Sequence, residues 1–75
     1  MKSYRDTDKD SGISAYEYDQ SSIKIQFKGG SIYEYTYSSA GSSNIENMKR
    51  LADKDDGLNA FINLHVKKKY SRKIR

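Results

Sequence analysis

From Ile23 to Lys28 the side chains alternate: Ile23, Ile25 and Phe27 are apolar, while Lys24, Gln26 and Lys28 are polar. A period of two marks a strand with one buried face and one wet face. Gly29-Gly30 follows, and glycine turns a chain at little steric cost. Residues 31–37 (SIYEYTY) then place Tyr33, Tyr35 and Tyr37 on one side and Ile32, Glu34 and Thr36 on the other. A two-residue loop at Gly29-Gly30 would set Ile25 opposite Glu34 and put a carboxylate on the core face. An odd loop, residues 29–31 or 28–32, instead sets Phe27 opposite Tyr33 and Ile25 opposite Tyr35. A one-residue slip moves every side chain to the other face, and burying an unpaired Glu is costly. The odd loop is therefore expected, with the tyrosine row inside.

The flanking segments extend this hairpin. Ile13 to Tyr18 is rich in apolar and aromatic residues and ends in the turn-forming Asp-Gln-Ser-Ser, which reads as a further strand. Residues 1–12 show no hydrophobic period and read as a flexible N-terminal arm. After the third strand, SSAGSS breaks the pattern. Ser43 or Asn44 is placed to cap a helix, with Glu46 near its positive end. Ile45, Met48, Leu51 and Ala52 form one helical stripe. Residues 53–56 and Gly57 end it, glycine suiting a left-handed stop. Leu58, Phe61, Ile62 and Val66 form a second stripe. The expected architecture is α+β: a three-stranded antiparallel sheet followed by two helices packed on one face. The domain runs over residues 13–70, with a basic tail at 71–75.

Composition narrows the function. A chain of 75 residues buries only about 60–65% of its unfolded surface, and nine aromatics, seven of them Tyr, must supply much of that core. No cysteine is present, which removes disulfides, thiolate metal sites and thiol nucleophiles. With one His, nucleophilic triads lose most of their parts. No apolar run reaches membrane-spanning length and no secretory leader is visible, so a cytoplasmic, non-enzymatic protein without a cofactor or metal is expected.

Ile13 with Tyr18-Asp19, the Ile23, Ile25, Phe27 and Gly30 series, Tyr33-Glu34-Tyr35, and the later set Ala52, Gly57, Phe61-Ile62-Asn63, Val66 and Tyr70 occur in an ordered spacing. Over residues 13–70 this order resembles the KTSC domain. That small domain stands alone in bacterial and phage proteins and is fused to the C-terminus of some lysyl-tRNA synthetases. The resemblance implies an α+β domain that binds RNA, with Tyr33 and Tyr35 as its Tyr-x-Tyr motif and Tyr70 packed against the sheet. It implies no catalytic residue. The family's Val-Pro after the third strand is missing here, since the chain has no proline.

Charge is distributed unevenly. Residues 1–20 carry −2, residues 21–66 are neutral and residues 67–75 carry +6, within a net charge of +4. Lys67, Lys68, Lys69, Arg72, Lys73 and Arg75 can neutralise phosphates, and Tyr70 among them can stack on a base. The same cations also suit a helix C-terminus. RNA or another polyanion is the expected partner, and a protein partner at a sheet edge or helix face is the alternative. Tyr16, Tyr18, Tyr33, Tyr35 and Tyr37 could form a stacking platform, although the register argument assigns Tyr33 and Tyr35 to the core. Lys24 and Lys28 could extend a phosphate track. Asp6, Asp8 and Asp10 with Glu17 approach a calcium-loop spacing, but Ser11 stands where the loop needs Gly. The segment reads as a solvated acidic arm. His65, one turn beyond Phe61, reads as structural. Glu17 and Glu34 lie on neighbouring strands without an implied cleft.

Overall fold

The computed structural model of the chain describes residues 1–5 and 12–75. Among these residues five strands form one antiparallel sheet in chain order: β1 (Lys2–Ser3), β2 (Ile13–Tyr18), β3 (Ser22–Phe27), β4 (Ile32–Thr36) and β5 (Arg72–Lys73). Three helical segments lie between β4 and β5. They are α1 (Tyr37–Ala40), α2 (Ser42–Lys54) and α3 (Leu58–Phe61), the last continuing as a π-helical turn over Ile62–Val66. The α+β class stands, with five strands in place of three. The two added strands are two residues long and polar, so they carry no periodic signal.

The central hairpin puts the expected faces inside, with a different loop. Ile23 pairs with Tyr35, Ile25 with Tyr33 and Lys24 with Glu34. Phe27 donates its N–H to the Ser31 carbonyl at 2.8 Å, and Gly30 donates back to Phe27 at 2.8 Å. The loop is therefore residues 28–30, three residues long, with Gly30 at φ 99°. This register differs by two residues from the expected one. A shift of two preserves side-chain parity, so Tyr35 is still buried and Tyr33 still packs on the core.

Strand β2 carries an irregularity that its sequence hides. Ile13 pairs with Phe27, yet Ala15 pairs with Gln26, so Ser14 is the extra residue of a β-bulge. The Ser14 hydroxyl donates to the Gln26 carbonyl at 3.3 Å there. The bulge brings Ile13 and Tyr16 to the same buried face although they are three positions apart. Sheet residues Ile13, Tyr16, Ile23, Ile25 and Tyr35 then share one core with Ile45, Met48, Ala52, Leu58, Ile62 and Val66 from the helical half.

The N-terminus is tied to this core and the C-terminus to the sheet. Tyr4, expected in a flexible arm, is only 5% exposed. Its ring meets Tyr16 edge-on at 6.5 Å, and its hydroxyl accepts the Leu58 N–H at 3.3 Å. Asp55 accepts the Arg5 N–H at 3.0 Å. The near-calcium spacing at Asp6, Asp8 and Asp10 lies outside the described residues. At the other end, residues expected as a tail form β5.

The helix signals also resolve differently. Thr36 caps α1 in a capping box, accepting from the Ser39 N–H at 3.1 Å while its own N–H donates to the Ser39 hydroxyl at 3.0 Å. Gly41 opens α2, so Ser43 and Asn44 lie inside the helix, where the Asn44 amide donates to the Ala40 carbonyl at 2.8 Å. Asp55, at φ 60°, takes the left-handed stop of α2, and Gly57, at φ 81°, opens α3.

Two stability predictions follow from these placements. A side chain at Gly29 or Gly30 would meet no neighbouring atom, but only Gly30 has positive φ. Gly30→Ala should cost about 1 kcal/mol and Gly29→Ala much less, as read by urea unfolding. Equal costs would contradict the loop geometry. Tyr4→Ala should cost about 3 kcal/mol and Tyr4→Phe about 1 kcal/mol, the second by orphaning the Leu58 N–H. An N-terminus that contributes nothing to the core would show neither loss.

Candidate functional site

The basic segment is anchored along β4. Ser71 donates to the Glu34 carbonyl at 2.6 Å, Ile74 donates to the Ile32 carbonyl at 2.7 Å, and Ile32 donates to the Arg75 carbonyl at 3.2 Å. Register sets Arg72 opposite Glu34 and Lys73 opposite Tyr33. Strand alternation therefore separates the two cations. The Arg72 Nε lies 2.8 Å from Glu34 Oε1 on the wet face, while the Lys73 ammonium lies 5.8 Å over the Tyr33 ring. Of the six cations expected to face a polyanion, Arg72 is thus neutralised by the protein itself. Lys67, Lys68, Lys69, Lys73 and Arg75 have no carboxylate within ion-pair distance among the described residues.

Beside this strand lies a recess of about 360 Å³, lined by Phe27, Ser31, Tyr33, Tyr35, Ile62, Asn63, Lys67 and Tyr70. Its rings meet edge to face: Phe27 with Tyr33 at 5.8 Å, Tyr33 with Tyr70 at 4.8 Å, and Tyr35 with Tyr70 at 6.4 Å. Tyr35 forms the floor at 2% exposure, Tyr33 is half-buried, and Tyr70 is 41% exposed. Burial, reinforced by the nearby phenols of Tyr33 and Tyr70, pushes the Tyr35 hydroxyl up to about 12. No carboxylate among the described residues lines the recess. The site thus joins residues expected in separate roles: Tyr33 and Tyr35 from the core, and Lys67, Tyr70 and Lys73 from the cationic segment.

Sequence reasoning did not place Phe27, Ser31, Ile62 or Asn63 in a site. A signal existed for part of it, because Asn63, Lys67 and Tyr70 follow the i, i+4, i+7 spacing of one helix face. The π-helical turn carries Asn63 and closes just before Lys67.

Other candidates fall elsewhere. Lys24 lies 3.7 Å from Glu17 and pairs in register with Glu34, which places it on the sheet face away from the recess. Glu17 and Glu34 are separated by this lysine and form no carboxylate pair. Tyr16 and Tyr18 stack at 6.2 Å, and both hydroxyls donate to Asp53, at 2.9 and 2.6 Å. These bonds, the one from Tyr18 foremost, hold the Asp53 carboxyl below the usual carboxylate range. With Lys2 4.0 Å away, Asp53 serves the N-terminal side rather than the basic segment. Tyr37 donates to Glu46 at 2.5 Å, and Lys49 bridges to the same carboxylate at 2.9 Å. These contacts disperse the five-tyrosine platform: Tyr16, Tyr18 and Tyr37 are tied to carboxylates outside the recess. The exposed His65 ring lies against Phe61 at 4.6 Å. No group of three potential metal ligands occurs among the described residues.

The floor of the recess makes alkaline stability testable. Tyr35 has a higher pKa folded than unfolded, where a phenol titrates near 10. Its contribution is full below about pH 10 and is lost as the pH rises toward about 12. Tyrosinate ultraviolet absorbance should therefore rise in step with loss of far-ultraviolet dichroism above about pH 10, and Tyr35→Phe should weaken that coupling. Full ionisation of every tyrosine with the dichroism intact would contradict the buried floor.

Compared with known proteins, the chain matches no family model, no curated protein and no solved structure.

Proposed function

We propose that this chain is a non-enzymatic, KTSC-like α+β domain that holds RNA or a similar polyanion through its C-terminal segment. The observation that carries the reading is the anchored β5 with five cations around it, Lys67, Lys68, Lys69, Lys73 and Arg75, that have no carboxylate within ion-pair distance among the described residues. A charge cluster fixed on a sheet loses less entropy on binding than a free tail does, and preorganisation favours affinity. The ordered resemblance over residues 13–70 supports the same partner class. No helix among the described residues is long and apolar enough to cross a membrane.

Five engaged cations on a single strand give a slope of log affinity against log salt of about −3.5. The sequence-based set of six would give about −4.2; the difference is Arg72, which Glu34 already neutralises. Neutralising side chains is a cleaner test than truncation, because removing residues after Val66 also strips β5 from the sheet. Binding of the full chain to a single-stranded RNA pool should weaken on Lys68→Gln with Lys69→Gln, and the slope should flatten by about 1.4. Unchanged affinity and slope would end this reading. A copurifying protein partner with no nucleic-acid signal would instead establish the interaction-module alternative.

A further inference from the structure

We infer that the aromatic recess takes one nucleobase of the bound single strand, against the rings of Tyr33 and Tyr70, with Lys67 and Lys73 meeting the flanking phosphates. The inference rests on the polyanion reading and names what that surface recognises beyond charge.

Four observations carry it. The volume of about 360 Å³ lies within the roughly 300–1,000 Å³ of small-ligand sites, enough for one planar ring system. Its walls are aromatic and incompletely buried: Tyr33 is half-buried and Tyr70 remains 41% exposed. Flat aromatic surface left to water beside cations is what base stacking uses. At the recess, the Asn63 amide offers both a donor and an acceptor, and the Ser31 hydroxyl offers the same pair, so a base edge can be met by hydrogen bonds. The cations also stand in the right relation. Lys67 lines the recess and the Lys73 ammonium lies 5.8 Å over the Tyr33 ring, so a base seated in the recess has its phosphates beside ammonium groups.

Charge decides against the other ligand that aromatic cages take. A methylated ammonium would enter a recess that no carboxylate among the described residues lines and that two lysines flank, which repels it. A planar ligand with negative charge at its edge satisfies both the rings and the lysines.

The test uses the full chain, washed free of nucleic acid at high salt, and three probes. They are a single-stranded RNA oligonucleotide containing 2-aminopurine, inorganic polyphosphate and adenosine monophosphate. Stacking should quench the 2-aminopurine on binding. Tyr70→Leu should weaken the oligonucleotide by about 5- to 150-fold and reduce the quenching, with polyphosphate binding unchanged. Asn63→Ala, at an exposed position, should weaken the oligonucleotide in the same selective way. Far-ultraviolet dichroism verifies that both variants fold. Lys68→Gln with Lys69→Gln should weaken both the oligonucleotide and polyphosphate. If Tyr70→Leu and Asn63→Ala leave oligonucleotide affinity and quenching unchanged while the lysine variant weakens both polyanions, the base site is wrong and the polyanion reading stands. If the wild-type chain binds neither oligonucleotide nor polyphosphate at low salt, both fall. If the monophosphate matches the oligonucleotide in affinity, the recess belongs to free nucleotides and the strand-bound base is overturned.

Discussion

The pairing of β3 with β4 is the constraint on which the other elements depend. The three-residue loop sets Ile25 opposite Tyr33 and Ile23 opposite Tyr35, so isoleucines and tyrosines share one face. Helical apolar residues complete that face, and Tyr35 becomes both core and recess floor. The opposite face follows without further choice. Glu17, Lys24, Glu34 and Arg72 stand side by side across four strands, with alternating sign at each step. A one-residue slip between β3 and β4 would bury Glu34 and break this row at once.

That row explains how a cationic segment comes to rest on a sheet. Glu34 is largely shielded at 15% side-chain exposure, whereas Arg72 stays open at 64%, and a pair of this kind is worth about 1 kcal/mol or less. The backbone bonds from Ser71 and Ile74 and to Arg75 add to it. The ion pair therefore serves mainly to choose the register of β5. With Arg72 on the wet face, Lys73 must fall on the recess face, because successive strand residues point in opposite directions.

Legibility in the sequence followed parity and periodicity. Alternation at Ile23, Ile25 and Phe27 located the central strand, and the cost of burying Glu34 located the tyrosine face. Neither argument could separate registers differing by two residues, since both bury the same side chains. The bulge at Ser14 escaped because an extra residue looks like a broken alternation until its partner strand is known. Strands β1 and β5 escaped because Lys2, Ser3, Arg72 and Lys73 carry no apolar pattern; pairing, rather than burial, makes them strands. Tyr4 was passed over because one aromatic in a polar run has no period. The recess was half legible. Lys67 and Tyr70 stood out by composition and Asn63 by its spacing to them, while Phe27 joined them only through tertiary folding that brings the β3 end beside the π-helical turn.

The brevity of the outer strands has a bearing on colloidal behaviour. Segments such as SIKIQF and IYEYT combine β-branched and aromatic side chains, the composition that favours cross-β stacking when left bare. Each of these segments is flanked on both sides by a partner strand, and the sheet ends in two-residue borders bearing Lys2 on one side and Arg72 and Lys73 on the other. Charged, abbreviated borders offer a foreign strand little to template on. Lys73, set beside the recess, thus also belongs to a charged border of the kind that disfavours strand addition.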